Sequence, residues 1–175
     1  MTTLHHMIGT LARKLHKFAD TWSKKFWHDY PFGKTIRASK EEYLALWQNE
    51  KSSTYPEIDR LEKEMGFSVE KDWLDDLALH TQIVIKSSPL CYQHGRILYT
   101  ILRKYLSDRK SLAPLTIFET GTARGFSCIV MAKALSDHSA NGKIVTFDIL
   151  PHNVSMYWNC TDDHEGSKSR KDLLQ

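Results

Sequence analysis

The residues whose types and spacing could do chemistry lie in one run, Phe118-Glu119-Thr120-Gly121-Thr122-Ala123-Arg124-Gly125-Phe126-Ser127, followed by Asp148. A short apolar strand, Leu115-Thr116-Ile117-Phe118, ends at Glu119, and the chain must then turn into an apolar helix from Ser127 to Leu135. Gly121 permits a tight turn and the approach of a ligand, and Gly125 lets the helix begin close to the strand. The first turn of such a helix carries unpaired N–H groups with partial positive charge, which suit a carboxylate or a phosphate. An Asn141-Gly142 turn leads into a second strand, Lys143-Ile144-Val145-Thr146-Phe147-Asp148. Strand, glycine turn, helix, turn and strand make a βαβ unit with parallel strands. Asp148 then lies at the carboxyl edge of the sheet, beside the same crevice. A carboxylate there can accept hydrogen bonds from the paired hydroxyls of a ribose.

Two ligand classes use this geometry. A dinucleotide site wants G-x-G-x-x-G, but position 123 is Ala and position 126 is Phe. The segment instead resembles the first motif of class I S-adenosylmethionine-dependent methyltransferases, in the form E-x-G-x-x-x-G-[aromatic]-S. That form looks most like the small-molecule O-methyltransferases similar to catechol O-methyltransferase. The resemblance implies a cofactor loop of Glu119, Gly121, Thr122, Ala123, Gly125, Phe126 and Ser127, with Asp148 holding the ribose. Upstream, Tyr92-Gln93-His94-Gly95-Arg96-Ile97-Leu98 is similar to the Q-G-x-[IL]-L stretch on the helix before the first strand of those enzymes, near which the family often contacts cofactor.

The resemblance implies a Rossmann-like parallel sheet, S-adenosylmethionine as cofactor, methyl transfer to a small-molecule or other acceptor, and an α/β fold. It spans about residues 88–150. The family's sheet has more strands than the two found here, and its acceptor-side acids and base follow the second strand. The chain therefore reads as the front part of such an enzyme, truncated after that strand, with no catalytic residue to name. A half-sheet of this kind is expected to expose an apolar face and an unpaired strand edge.

The positioning elements divide at about residue 86. Residues 1–86 read as a helical region and 87–175 as the first part of the cofactor-binding domain. Within the first, Leu4, Ile8, Leu11, Leu15, Phe18 and Trp22 form one stripe of a basic amphipathic helix over 4–28. A helical cap follows over 40–80. Ser39-Lys40-Glu41-Glu42 has the form of a capping box, Pro56 suits a helix start and Gly66 a helix end, and Val69 to His80 reads as a further helix. A helix from Tyr92 to Leu106 is expected to bury Ile97, Leu98, Ile101, Leu102 and Tyr105.

Composition narrows the rest. Hydrophobic residues at 41% and charged residues at 26% are ordinary for a globular chain. The net charge of +3 is uneven. Residues 1–40 carry eight Lys/Arg against two Asp/Glu, net +6, and the remainder carries sixteen against nineteen, net −3. A nucleic-acid groove over the main domain is not expected. Cys91, Cys128 and Cys160 are too scattered for a disulfide framework, and no apolar run suits a membrane span, so a cytoplasmic setting is expected. The basic helix suits either a membrane surface or packing on protein. His152, Cys160, Asp162, Asp163 and His164 have metal-ligand types without the paired spacing of a zinc site, and no metal is expected. Competing functions are a dinucleotide-binding oxidoreductase fragment and a non-catalytic half-domain that binds a membrane or a partner. From sequence, Asp148→Ala reads as a clean probe that loses cofactor affinity and keeps the fold.

Overall fold

A computed structural model describes residues 14, 18, 30–111 and 113–173. The expected helix over 4–28 lies outside the described residues, apart from Lys14 and Phe18, which are helical and exposed. The described chain is mixed α/β, with six α-helices and a two-stranded parallel sheet. No helix among the described residues is long and apolar enough to cross a membrane.

Local signals set the helical layer. Helix α1 is Lys40–Lys51 and opens on the expected capping box. The Glu42 N–H donates to Ser39 Oγ at 3.2 Å and the Ser39 N–H donates to Glu42 Oε2 at 2.7 Å. This satisfies two N–H groups that the helix start would leave bare. Helix α2, Pro56–Met65, begins on proline and ends at Gly66 with φ +76°. Helix α3 is Lys71–Thr81 and α4 is His94–Asp108. Strand β1 is Leu115–Thr120, α5 is Phe126–Asp137 and β2 is Gly142–Phe147. The strands pair in register from Leu115 with Gly142 to Thr120 with Phe147.

One core joins the helical layer to α5: Tyr43, Leu74, Ala78, Ile83, Tyr92, Tyr99, Phe126, Val130 and Ala134 are buried together. Helix α4 buries only part of the face expected of it: Leu98 and Leu102 pack against the core and Ile97 is half-buried. Gly95, Tyr99, Thr100 and Leu106 are buried, whereas Ile101 and Tyr105 stay about half exposed. The reason is a close approach combined with polar pairing. Gly95 lies against Phe126 and Leu74, which turns its side of the helix inward. The Tyr99 hydroxyl then donates to Asp137 Oδ2 at 2.7 Å and Thr100 Oγ1 donates to the Phe67 carbonyl at 3.1 Å. Both buried hydroxyls are thus satisfied.

The sheet is covered on one side. Leu115, Ile117 and Glu119 are half-buried and alternate with the exposed Thr116, Phe118 and Thr120. Phe118 is 70% exposed and Phe147 57%, their rings nearly parallel at 6.4 Å. Parallel sheets are ordinarily covered on both faces, whereas this aromatic face is exposed.

Residues 150–173 form a strap that returns to the helical layer. A 3-10 turn at Thr161–Glu165 and the short helix α6, Arg170–Leu173, lie within it. Asp163 accepts the N–H groups of Trp158 at 2.8 Å and Cys160 at 3.2 Å. Asn159 clamps the strap: Oδ1 accepts from the Tyr43 hydroxyl and the Ile85 N–H, each at 3.1 Å, and Nδ2 donates to the Ile85 carbonyl at 2.9 Å. Outside this core, His80 Nδ1 lies 2.9 Å from Asp162 Oδ1.

Two expectations follow. A Cβ at Gly95 would stand 2.7 Å from Phe126 Cζ and 3.0 Å from Leu74 Cδ1. Gly95→Ala gains helix propensity of about 0.5–1 kcal/mol but overpacks a buried contact at a cost of about 1–3 kcal/mol. A net loss of about 1 kcal/mol in urea denaturation is expected, and a gain would show that the helices can separate freely. The second concerns pH. The Asp162 hydrogen bond, opposed by burial and aided by the charges of Asp162, Asp76 and Glu165, raises His80 above its usual 6.5. A raised histidine stabilises fully below its unfolded pKa, and that stabilisation is lost as pH rises through the folded pKa. Burial works to raise Asp162, yet the His80 partner holds it below the carboxylate range, so the pair persists at pH 6. His80→Gln is expected to cost up to about 1 kcal/mol at pH 6, because the pair is partly exposed, and nearly nothing at pH 9. Equal costs at both pH values would contradict the ion pair.

Candidate functional site

The crevice at the carboxyl ends of β1 and β2 is built from a turn, a helix start and two acids. After Thr120 the chain turns through Gly121 at φ +83°, Ala123 at φ +44° and Gly125 at φ +85°. Those left-handed angles are what glycine supplies at least cost, and at Gly121 they are the whole reason for it, since a Cβ there would meet nothing within 4 Å. The side of Gly121 is thus open to an approaching ligand. The Gly121 N–H continues the sheet ladder to the Phe147 carbonyl at 2.7 Å, and Thr122 Oγ1 donates to Thr146 Oγ1 at 2.7 Å. Both bonds fasten the loop to β2. Gly125 caps α5 with no side-chain hydrogen bond, and among the described residues no side chain accepts from the N–H groups that open the helix.

The two acids differ in their surroundings. Asp148, one residue past β2, is saturated by its own protein. Oδ2 accepts the Ala123 N–H at 2.6 Å and Oδ1 accepts the Leu150 N–H at 2.8 Å. Arg170 Nη2 lies 3.0 Å from Oδ2, with both side chains more than nine-tenths buried. Glu119 is the reverse. Its Oε2 is buried with no hydrogen-bond partner among the described residues. Burial first, and then the charge of Asp148, push its carboxyl above the usual range. The loop is therefore shaped by Asp148, and among the described residues Glu119 keeps a free acceptor.

The structure brings Glu119, Gly121, Thr122, Ala123, Gly125, Phe126, Ser127 and Asp148 into one place. Phe126 is buried against Gly95, and Ser127 lies half-buried in the first turn of α5. The upstream stretch divides. His94 sets its ring edge-on to Phe126 at 4.9 Å, and burial lowers its pKa. Gln93 and Arg96 turn instead to a separate cavity of about 350 Å³ that Tyr55, Glu62, Lys71 and Asp75 also line. There Arg96 Nε donates to Glu62 Oε1 at 2.9 Å.

Sequence reasoning missed two arginines. Arg124, inside the loop, is 6% exposed and its Nη1 has no hydrogen-bond partner among the described residues. Arg170 is gripped by both walls of the crevice: Nε donates to the Ala123 carbonyl at 2.8 Å and Nη1 to the Leu150 carbonyl at 3.2 Å. No signal in the sequence ties residue 170 to residue 123. The residues with metal-ligand types do not converge, and among the described residues no group of three could hold a metal. Asp162 serves His80, Asp163 caps the strap, and His164 Nε2 lies 3.0 Å from the Ala38 carbonyl oxygen.

Asp148→Ala is accordingly not a clean probe. It would strand a buried guanidinium, which typically costs about 3–5 kcal/mol. Comparison with protein-family models, curated proteins and solved structures gives no match to this chain.

Glu119 offers the better probe. An acid whose folded pKa is raised loses stability as pH climbs through that pKa, so at pH 7 its charge opposes folding. Glu119→Gln is expected to leave the thermal midpoint unchanged or higher at pH 7 in the absence of ligand. A clear fall would mean that Glu119 has an internal partner after all.

Proposed function

We propose that the protein binds S-adenosylmethionine at this crevice and serves methyl transfer, its β1–α5–β2 unit being the front of a Rossmann-like sheet. The single observation that carries the reading is the buried, unpartnered Glu119 oxygen at the strand end, beside an uncapped helix start and the open side of Gly121. A buried acceptor without a donor is costly unless a ligand supplies one. An amino acid moiety has both complements: its ammonium suits Glu119, and its carboxylate suits the N–H groups opening α5.

The cofactor, when bound, supplies a methyl group already activated by its sulfonium charge. The chain's residues position. Glu119 accepts from the ammonium and the N–H groups of Phe126 to Cys128 donate to the carboxylate, while Asp148, engaged by the Ala123 and Leu150 N–H groups and paired with Arg170, shapes the loop and is not free to hold the ribose as the resemblance implied. Holding the methyl carbon in line with an acceptor oxygen or nitrogen is then a matter of orientation. No residue is assigned a catalytic role, and the acceptor is a small molecule or another nucleophile.

The dinucleotide alternative fits less well. A pyrophosphate wants free loop N–H groups, but the Ala123 N–H is committed to Asp148, and Ala holds a left-handed conformation where that motif has Gly. The open Phe118–Phe147 face gives support to the other alternative, a half-domain that docks on a partner.

Thermal denaturation with S-adenosylhomocysteine or NAD at saturating concentration separates these readings. Ligand at about 100 times its Kd stabilises by about 2.7 kcal/mol. The expected result is a rise with S-adenosylhomocysteine, none with NAD, and loss of the rise in Glu119→Gln. A rise with NAD alone would favour the oxidoreductase, and no rise with either would favour the docking module.

A further inference from the structure

We infer that the cavity between α2, α3 and the start of α4 is a second binding site, which takes a small uncharged ligand with a carboxamide edge. The cavity holds about 350 Å³, and none of its lining residues belongs to the glycine loop. Small-molecule sites begin at about 300 Å³. The residue that points to a ligand is Gln93. It lines the cavity and is 6% exposed, and its side-chain amide neither caps α4 nor makes another hydrogen bond among the described residues. A buried amide without a partner is costly. Arg96, three residues on, shares that face of the helix and also lines the cavity. Its Nε and Nη2 are taken by Glu62 and Asp59, which leaves Nη1 unbonded among the described residues. Asp59 and Lys71, which line the cavity too, have side chains 60% and 64% exposed, so a ligand can enter from solvent.

The charges around the cavity select against an ion. On one wall the Arg96 guanidinium faces two carboxylates, Glu62 and Asp59, so an anion meets an excess of negative charge. On the other, Asp75 Oδ2 accepts from Lys71 Nζ at 2.6 Å and has Lys51 Nζ at 3.6 Å, so a cation meets two ammonium groups against one carboxylate. The other oxygen of Asp75 accepts from the Tyr92 hydroxyl at 2.7 Å. What remains is the neutral Gln93 amide, with a donor and an acceptor in one plane, and the Nη1 group of Arg96. A carboxamide complements them. Its carbonyl accepts from Gln93 Nε2 and Arg96 Nη1, and its N–H donates to Gln93 Oε1. Val69 and Leu74, both buried, supply an apolar wall on which the rest of the ligand packs.

The test uses three probes of one shape, benzamide, benzoate and benzamidinium, titrated into the ¹⁵N-labelled full chain and followed by nuclear magnetic resonance. Benzamide is expected to bind about tenfold or more tightly than either ion and to shift the side-chain amide signals of Gln93. Gln93→Leu, which removes the amide and keeps a side chain of similar size, is expected to weaken benzamide about tenfold. Gln93→Glu, which puts a carboxylate in place of the amide, should move the preference from benzamide to benzamidinium, and it serves if Gln93→Leu does not fold. The inference is overturned if either ion binds the wild type as tightly as benzamide, if none of the three binds, or if the shifts gather at the glycine loop. An unchanged benzamide affinity in Gln93→Leu, or an unaltered preference in Gln93→Glu, would overturn it equally. Because cavity and crevice share no residue, these outcomes leave the S-adenosylmethionine reading to its own test.

Discussion

The buried carboxylate of Asp148 is the point on which the site depends. It joins three segments: the glycine loop through the Ala123 N–H, the turn after β2 through the Leu150 N–H, and the strap through Arg170. The two strands hold the start of the loop through Gly121 and Thr122, and Asp148, one residue past β2, holds the rest of it. A buried charge is tolerated because it is paired and hydrogen-bonded. Without Asp148 the Arg170 guanidinium would keep its carbonyl contacts but lose its counter-charge.

That saturation gives Glu119 its meaning. Two acids lie within electrostatic reach of each other, and Arg170 provides an adjacent cation for only one of them. Asp148 takes that cation and both backbone donors. Glu119 is left desolvated beside a negative neighbour, with an acceptor that nothing in the described protein satisfies. The division of labour is physical: one carboxylate is spent on structure and the other is available to a cationic ligand group.

Much of this was legible because it is local. The Ser39–Glu42 capping box, the Pro56 start and the Gly66 stop are read within one turn of chain, and the structure shows each. The βαβ unit was legible from two short strand-forming runs and from Gly121 and Gly125, which lie at positive φ. What was not legible is long-range. Arg170 meets Ala123 across 47 residues, and Asn159 meets Tyr43 across 116. The rotation of α4 was misread for the same reason. Apolar periodicity favoured Ile97, Leu98, Ile101, Leu102 and Tyr105; Leu98 and Leu102 do meet the core, but Ile101 and Tyr105 do not, because the closest approach is at Gly95, facing a ring thirty-one positions away in sequence. Asp148 was found by its strand-end position, but its saturation depends on an arginine that no motif announces.

The most direct test of the account is the titration of the Glu119 carboxyl carbon by ¹³C nuclear magnetic resonance, in the free protein and with S-adenosylhomocysteine. The account requires a pKa above the usual glutamate value in the free protein, falling when the ligand's ammonium arrives. A Glu119 that titrates identically with and without bound ligand would contradict the claim that its free oxygen is the ligand's partner.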